Sequence, residues 1–150
     1  MSRKIIFLDV DGVLNSIEFF KRLKDTGSWG LTEVDPDCVR RLKDVISATG
    51  AEIILSSTWR LVPELVKVLK ENTGLELKGR TPSINQKHRG AEIESWLGDT
   101  DNVANFIVLD DDEDAGIGKV YDLASRFIHT DVNVGFTEEN ARAAIALLNG

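Results

Sequence analysis

Cysteine is almost absent: the chain of 150 residues has one, Cys38, so it can form no internal disulfide and no cysteine-rich metal site. Cys38 has no CxxC or Cys/His neighbourhood and falls on an apolar helical stripe, which makes it a small buried residue rather than a nucleophile. Long apolar runs are missing too. No stretch approaches the roughly 20 residues a membrane-spanning helix needs, and Met1-Ser2-Arg3-Lys4 leads into a short apolar strand instead of the apolar core of a signal peptide. A cytoplasmic protein without membrane contact is expected. Positive charge is in the minority, with 18 Lys and Arg against 25 Asp and Glu and a net charge of -7, so there is no global basic footprint for nucleic acid. That exclusion is a weak one, because many of the acids concentrate at two places that read as strand ends. Proline occurs three times, with no repeat and no low-complexity linker. Residues 1–150 are therefore expected to form one domain, large enough for its own core, with a monomer plausible.

What the chain does contain is an alternation of short apolar runs and amphipathic stretches. Lys4 to Asp9 reads as the first strand and Pro36 to Thr49 as a helix, with Cys38, Val39, Leu42, Val45 and Ile46 on one stripe. Asp35 is placed to cap that helix, Pro36 to start it and Gly50 to stop it. Ala51 to Leu55 reads as a strand, Pro63 to Glu71 as a helix, Leu75 to Leu77 as a short strand and Gly90 to Leu97 as a helix. Phe106 to Leu109 and Phe127 to His129 complete the strands, and Glu138 to Leu148 is a closing helix opened by Thr137. Continuous apolar strands alternating with helices imply a three-layer α/β/α Rossmann-like domain with a central parallel sheet. In such sheets ligands bind at the carboxyl ends of the strands.

Asp9-Val10-Asp11-Gly12-Val13-Leu14-Asn15 stands at the first of those ends. Side chains alternate along a strand, so two carboxylates two residues apart project together as the strand gives out. They repel unless a divalent cation or a cationic ligand sits between them, and Mg²⁺ is the hard, oxygen-seeking ion that suits them. Gly12 lets the backbone turn closely round what is bound. For this motif alone, a solvated Asp-Gly turn after an edge strand remains an alternative.

Other strand ends carry matching chemistry. After Ile53-Ile54-Leu55 come Ser56-Ser57-Thr58-Trp59-Arg60, where hydroxyls and backbone N–H groups can grip phosphate oxygens, or merely cap a helix. After Phe106-Ile107-Val108-Leu109 come Asp110-Asp111-Asp112-Glu113-Asp114. An acidic run is commonly a wet loop, but this one starts at the last residue of a buried strand, where a carboxylate needs a partner. Lys87-His88-Arg89 supplies positive charge in front of the Gly90 to Leu97 helix.

A strand ending in DVDG, a strand ending in Ser, a basic residue before a helix and a strand ending in DD, in that order, resemble the four motifs of the haloacid dehalogenase-like (HAD) phosphohydrolase superfamily. Ile54 to Arg60 and Arg89 to Leu97 further resemble a small capless branch associated with RNA repair proteins, itself similar to the phosphatase half of polynucleotide kinase-phosphatases. Residues 61 to 88 and the flap-sized insert 12 to 35 leave no room for a full cap domain. The resemblance implies a Mg²⁺-dependent phosphomonoesterase acting through an aspartyl-phosphate. Asp9 would be the nucleophile, and Asp11 would protonate the leaving oxygen and then deprotonate water. Ser56, with Ser57 beside it, and a cation, Arg89 first and Lys87 second, would hold the phosphate. Asp9, Asp11 (its carbonyl or that of Val10), Asp110 and Asp111 would hold the metal. Val13 stands where the family often has Thr.

An open site suits a phosphate at a nucleic acid end or on a nucleotide. Arg60, Lys21, Arg22, Lys24 and Trp29 are candidates to touch it, with a solvated helix face and a core tryptophan as the alternatives. His88 and His129 are weighed both as cleft residues and as structural ones. A small-molecule phosphatase and a non-catalytic phosphate-binding module remain rival readings. A phosphoacceptor receiver domain fits poorly, because Ile53-Ile54-Leu55 ends in Ser56 where such a domain carries its acceptor Asp. A dehalogenase would not need Asp11.

Overall fold

The computed structural model describes residues 2–27, 30 and 32–150, so Trp29 lies outside the described residues. Its centre is a sheet of five strands, β1 (Arg3–Leu8), β2 (Glu52–Leu55), β3 (Leu77–Arg80), β4 (Val103–Asp110) and β5 (Phe127–His129). The spatial order is β3-β2-β1-β4-β5 and every pairing is parallel. The helices are α1 (Ile17–Thr26), α2 (Pro36–Thr49), α3 (Pro63–Thr73), α4 (Arg89–Gly98) and α5 (Glu138–Asn149). No helix among the described residues is long and apolar enough to cross a membrane.

Alternation along the central strands sorts the core into two layers. Ile6 and Leu8 of β1 and Ile107 and Leu109 of β4 pack with Val39, Leu42 and Val45 of α2, Leu69 of α3 and Ala144 and Leu148 of α5. Ile5 and Phe7 face the other way, with Val108, against Ile93 and Leu97 of α4. There Phe7 meets the rings of Trp96 and Phe106 edge-on, with centroids 5.3 and 5.9 Å away. Both faces of β1 and β4 are covered, which is why their sequences are apolar without a break.

Helix ends follow the expected chemistry. The Asp35 side chain accepts from the Asp37 N–H, Pro36 opens α2, and Gly50 ends it in the left-handed region. The Thr137 and Asn140 side chains close a capping box on α5. Differences arise where the pattern is polar. The third strand is Leu77–Arg80 rather than Leu75 to Leu77, an edge strand whose Lys78, Gly79 and Arg80 lack an apolar run. β4 starts at Val103, three residues before the apolar stretch, because Asn105 secures it to the Leu147 carbonyl at 2.6 Å. The insert 12 to 35 contains α1, capped by Ser16 and anchored by the buried ring of Phe19.

Candidate active site

Backbone pairing brings the polar motifs together at one edge of the sheet. Leu8 lies opposite Leu109, so the next residues, Asp9 and Asp110, end neighbouring strands. Each strand hands its neighbour one more bond: the Asp9 N–H donates to the Leu109 carbonyl at 3.0 Å, Ser56 N–H to Leu8 at 2.9 Å, Thr81 N–H to Leu55 at 3.0 Å and Thr130 N–H to Asp110 at 2.9 Å. Asp9 is 4% exposed and Asp110 is fully buried. Carboxylate oxygens of Asp9, Asp110 and the half-buried Asp111 lie within 4.8 Å of one another. Asp112 N–H holds the Asp110 carboxylate at 2.9 Å.

Burial is the largest cause of strain in this pair, followed for Asp9 by the charge of Asp110; together they push the Asp9 carboxyl up to about 9 against the pull of Arg89. Burial also raises Asp110, with Arg89 opposing it. Arg89 is the cation among them: one guanidinium nitrogen lies 2.7 Å from Asp110 Oδ2 and 3.2 Å from Asp9 Oδ1. Burial alone would lower its pKa, but the two carboxylates outweigh that and raise it. Lys87 is exposed on the preceding loop and does not join them. Arg89 reaches the acids because Gly90 lets the start of α4 press against the turn at 113–117, where a Cβ would collide with the Ile117 and Asp114 carbonyls.

The hydroxyls divide their labour. Ser57 Oγ accepts from the Trp59 N–H at 3.2 Å and caps the short 3-10 turn Thr58–Leu61. That bond uses a lone pair of Ser57 Oγ and leaves its O–H able to donate. Ser56 Oγ, fully buried, and Thr81 Oγ1, at the neighbouring strand end, have no hydrogen-bond partner among the described residues. An orphaned hydroxyl is rare in a protein interior and marks a place where a ligand or water atom belongs.

These features test the fit of Mg²⁺. Two buried carboxylates and a third beside them form an oxygen-only donor set whose negative charge one arginine leaves under-compensated, and that set suits a hard divalent cation. Gly12 makes room: its φ is +84°, and a Cβ there would strike the Asp111 carboxylate.

The surroundings of three expected site residues are now defined, and the reading of one of them, Arg60, is corrected. The Asp11 carboxylate stands apart from the acidic trio, which does not bear on its carbonyl, the atom expected at the metal; the Trp59 indole N–H donates to its Oδ2 at 3.0 Å and Asn15 Nδ2 to its Oδ1 at 2.9 Å. Arg60 does not face a substrate. It is 2% exposed and donates to the carbonyls of Thr81, Ser56, Ser57 and Pro82, and pairs with Glu92 at 3.0 Å, so its guanidinium is fully engaged. Ser57 caps the turn, as above, with its O–H still a donor. Cys38 is buried, and burial followed by the nearby charge of Asp35 pushes its thiol up to about 11, consistent with an inert packing residue. His88 caps α4, its Nδ1 accepting from Ala91 N–H at 3.3 Å. His129 does line the cleft, where its Nε2–H donates to the Asp111 carbonyl at 2.9 Å and its ring stacks on Phe127.

The cleft over the acids has a volume of about 680 Å³ and is open to solvent, with Asp9, Asp11, Thr58, Arg89 and Asp111 in its lining. It continues into a groove of about 400 Å³ beside Thr58, Leu61, Asn85, Gln86 and Lys87. Asn15 and Trp59 are contributors that the motif reading passed over. Both lie inside recognised stretches, but their shared target Asp11 is 48 positions from Trp59 and nothing local announces the contact. The family model for the HAD domain in Swiss Army Knife RNA repair proteins matches residues 5–141. No curated protein and no solved structure matches the chain significantly.

Proposed function

The chain belongs to the family of HAD domains of Swiss Army Knife RNA repair proteins, and from that membership we propose that it is a Mg²⁺-dependent phosphomonoesterase with Asp9 as nucleophile. The observation that carries this reading is the buried Asp9–Asp110 pair, bridged by Arg89, beside the orphaned hydroxyl of Ser56. Two buried carboxylates near an unpartnered hydroxyl are groups that a cation and a phosphate oxygen would satisfy, which supports the reading.

On this reading the steps are those that family membership suggests, assigned to the groups described above. Asp9 attacks phosphorus, and the bond from phosphorus to the leaving oxygen breaks. Asp11, exposed at the cleft, gives that oxygen a proton. Ser56 and Arg89 hold non-bridging oxygens of the transferring group, whose chemistry asks mainly for positioning and charge stabilisation. Asp11, now a carboxylate, takes a proton from water as the water attacks the aspartyl-phosphate, and the bond from phosphorus to Asp9 breaks. Asp9, Asp110 and Asp111 would hold Mg²⁺, which when bound offsets the charge of the phosphoryl oxygens.

For substrate we propose a phosphate at an RNA end. The family description names RNA repair, and the cleft runs on into the groove at Asn85, Gln86 and Lys87, where a chain attached to the scissile phosphate has space to lie. Among the described residues, 12–35 hold α1 and 61–88 hold α3 and β3, without an element that forms a lid over the acids. The protein is taken to act in the cytoplasm. The test is a panel of 3'-phosphorylated and 5'-phosphorylated oligoribonucleotides, mononucleotides, a sugar phosphate and an aryl phosphate, each with Mg²⁺ and with EDTA. Highest kcat/KM on one oligonucleotide end, lost in EDTA, is expected. Equal efficiency on mononucleotide or sugar phosphate would make it a small-molecule phosphatase, and no hydrolysis of any member would leave a phosphate-binding module.

A further inference from the structure

We propose that Trp59 is a positioning residue for the proton-transfer step: its indole N–H, together with the Asn15 amide, holds the Asp11 carboxylate in the orientation from which it serves the leaving oxygen. This rests on the phosphatase reading above and adds to it a residue outside the four motifs' usual acids, hydroxyl and cation.

Asp11 is exposed, and an exposed carboxylate on a short stem swings freely unless something restrains it. Here both oxygens are taken by buried groups, Oδ2 by Trp59 Nε1 at 3.0 Å and Oδ1 by Asn15 Nδ2 at 2.9 Å; Trp59 is 5% exposed and Asn15 1%. Both contacting nitrogens, Trp59 Nε1 and Asn15 Nδ2, can act only as donors. Indole nitrogen has no acceptor lone pair. The Asn15 amide is oriented by the Gly12 N–H, which donates to its Oδ1 at 3.0 Å and so leaves Nδ2 facing Asp11. Turning Asp11 away would strand a buried indole N–H, so the geometry penalises departure. Each carboxyl oxygen has two lone pairs, so both N–H bonds can persist whether or not Asp11 carries the proton. The same restraint therefore serves protonation of the leaving group and deprotonation of water.

The indole is itself anchored to the phosphate-gripping strand end. Trp59 is the second residue of the 3-10 turn Thr58–Leu61, three residues after Ser56; its N–H is capped by Ser57, and Arg60 ties the turn down through the Ser56 and Ser57 carbonyls. Glu92, paired with Arg60, also accepts from the Ile84 N–H at 2.9 Å, so the turn and the loop at 81–84 share one buried brace. The Ser56 hydroxyl and the indole N–H behind Asp11 are thus tied to the same braced turn. That coupling fixes the distance between the group that holds phosphorus and the group that protonates the leaving oxygen, and errors of about 1 Å there can cost roughly a hundredfold.

The test compares the intact protein with Trp59→Phe and with a variant carrying 3-benzothienylalanine at position 59, which keeps the bicyclic shape and lacks the N–H. Turnover is measured on an alkyl phosphate, whose leaving group needs a proton, and on an aryl phosphate, whose leaving group does not. Both variants should lose about tenfold to a hundredfold in kcat on the alkyl ester, with KM unchanged and about threefold or less lost on the aryl ester, below the roughly 10²–10⁴-fold of a whole general-acid contribution because the acid remains and only its orientation is lost. In an Asp11→Asn background neither change should cost anything more on the alkyl ester, because the group being positioned is gone. Full alkyl-ester activity in the folded benzothienyl variant, equal losses on the two esters, or a loss that adds to that of Asp11→Asn would each overturn the inference. Failure of the parent protein to hydrolyse either ester would instead sink the phosphatase reading itself.

Discussion

Replacing the nucleophile should make the metal-free protein more stable while abolishing its activity. In the folded chain Asp9 is 4% exposed, and its pKa is pushed up to about 9 from an ordinary value of 3.8 by burial and then by Asp110. The unfolded chain ionises freely near 3.8. Between those values the folded state binds one more proton than the unfolded state, so stability falls as pH rises from the lower towards the higher. Each unit costs about 1.36 kcal/mol, so at pH 7 the penalty reaches an upper bound of about 4 kcal/mol. Asp9→Asn removes it. Against that gain, Arg89 loses its 3.2 Å contact to Asp9 while keeping the 2.7 Å bond to Asp110. A net stabilisation of about 2 kcal/mol is expected, which for a domain of this length is a rise of about 4–8 °C in Tm. Urea denaturation in EDTA at pH 5.5, 7 and 8.5 should show the advantage of the variant growing with pH, and saturating Mg²⁺ should shrink it, because the ion offsets in the parent what the substitution removes. A variant that is less stable than its parent at pH 8.5 in EDTA, or a difference that does not change with pH, would refute the reasoning. Turnover should meanwhile fall by about 10³-fold or more.

Other substitutions probe the supports of the site. Arg60→Met should destabilise the fold by about 3–5 kcal/mol, read by urea denaturation, since it strands Glu92 and several buried carbonyls; a substrate-binding role would instead raise KM in a protein of unchanged stability. Gly12→Ala should weaken Mg²⁺ binding at least about tenfold by calorimetry, because the new Cβ at φ +84° drives into the Asp111 carboxylate. An RNA end should be hydrolysed with higher kcat/KM than the matching mononucleotide, and the advantage should shrink as salt rises if exposed cations such as Lys87 meet the backbone.

The sequence by itself determined the layer architecture and the chemical alphabet of the site. Unbroken apolar runs at Ile5–Leu8, Ile53–Leu55 and Phe106–Leu109 can be buried only on both faces of a parallel sheet, and the helix that Asp35, Pro36 and Gly50 delimit was legible because caps act within a turn of the chain. Asp9, Ser56, Arg89, Asp110 and Asp111 were all readable as strand-end or helix-start residues. Weak local signals hid the edge strand at Leu77–Arg80, where one covered face suffices and polar residues fit, and the helix Ile17–Thr26 inside the expected flap. Only the tertiary structure decided which polar groups are free and which are consumed. Register set Asp9 beside Asp110, the contact across 21 positions made Arg89 rather than Lys87 the cation between them, and burial turned Arg60 from a candidate ligand contact into a brace. The Trp59–Asp11 bond spans 48 positions. Hydrogen-bonding capacity is a property of each residue type, but the partner that uses it is set by which strand ends the sheet brings side by side, and that is a three-dimensional fact.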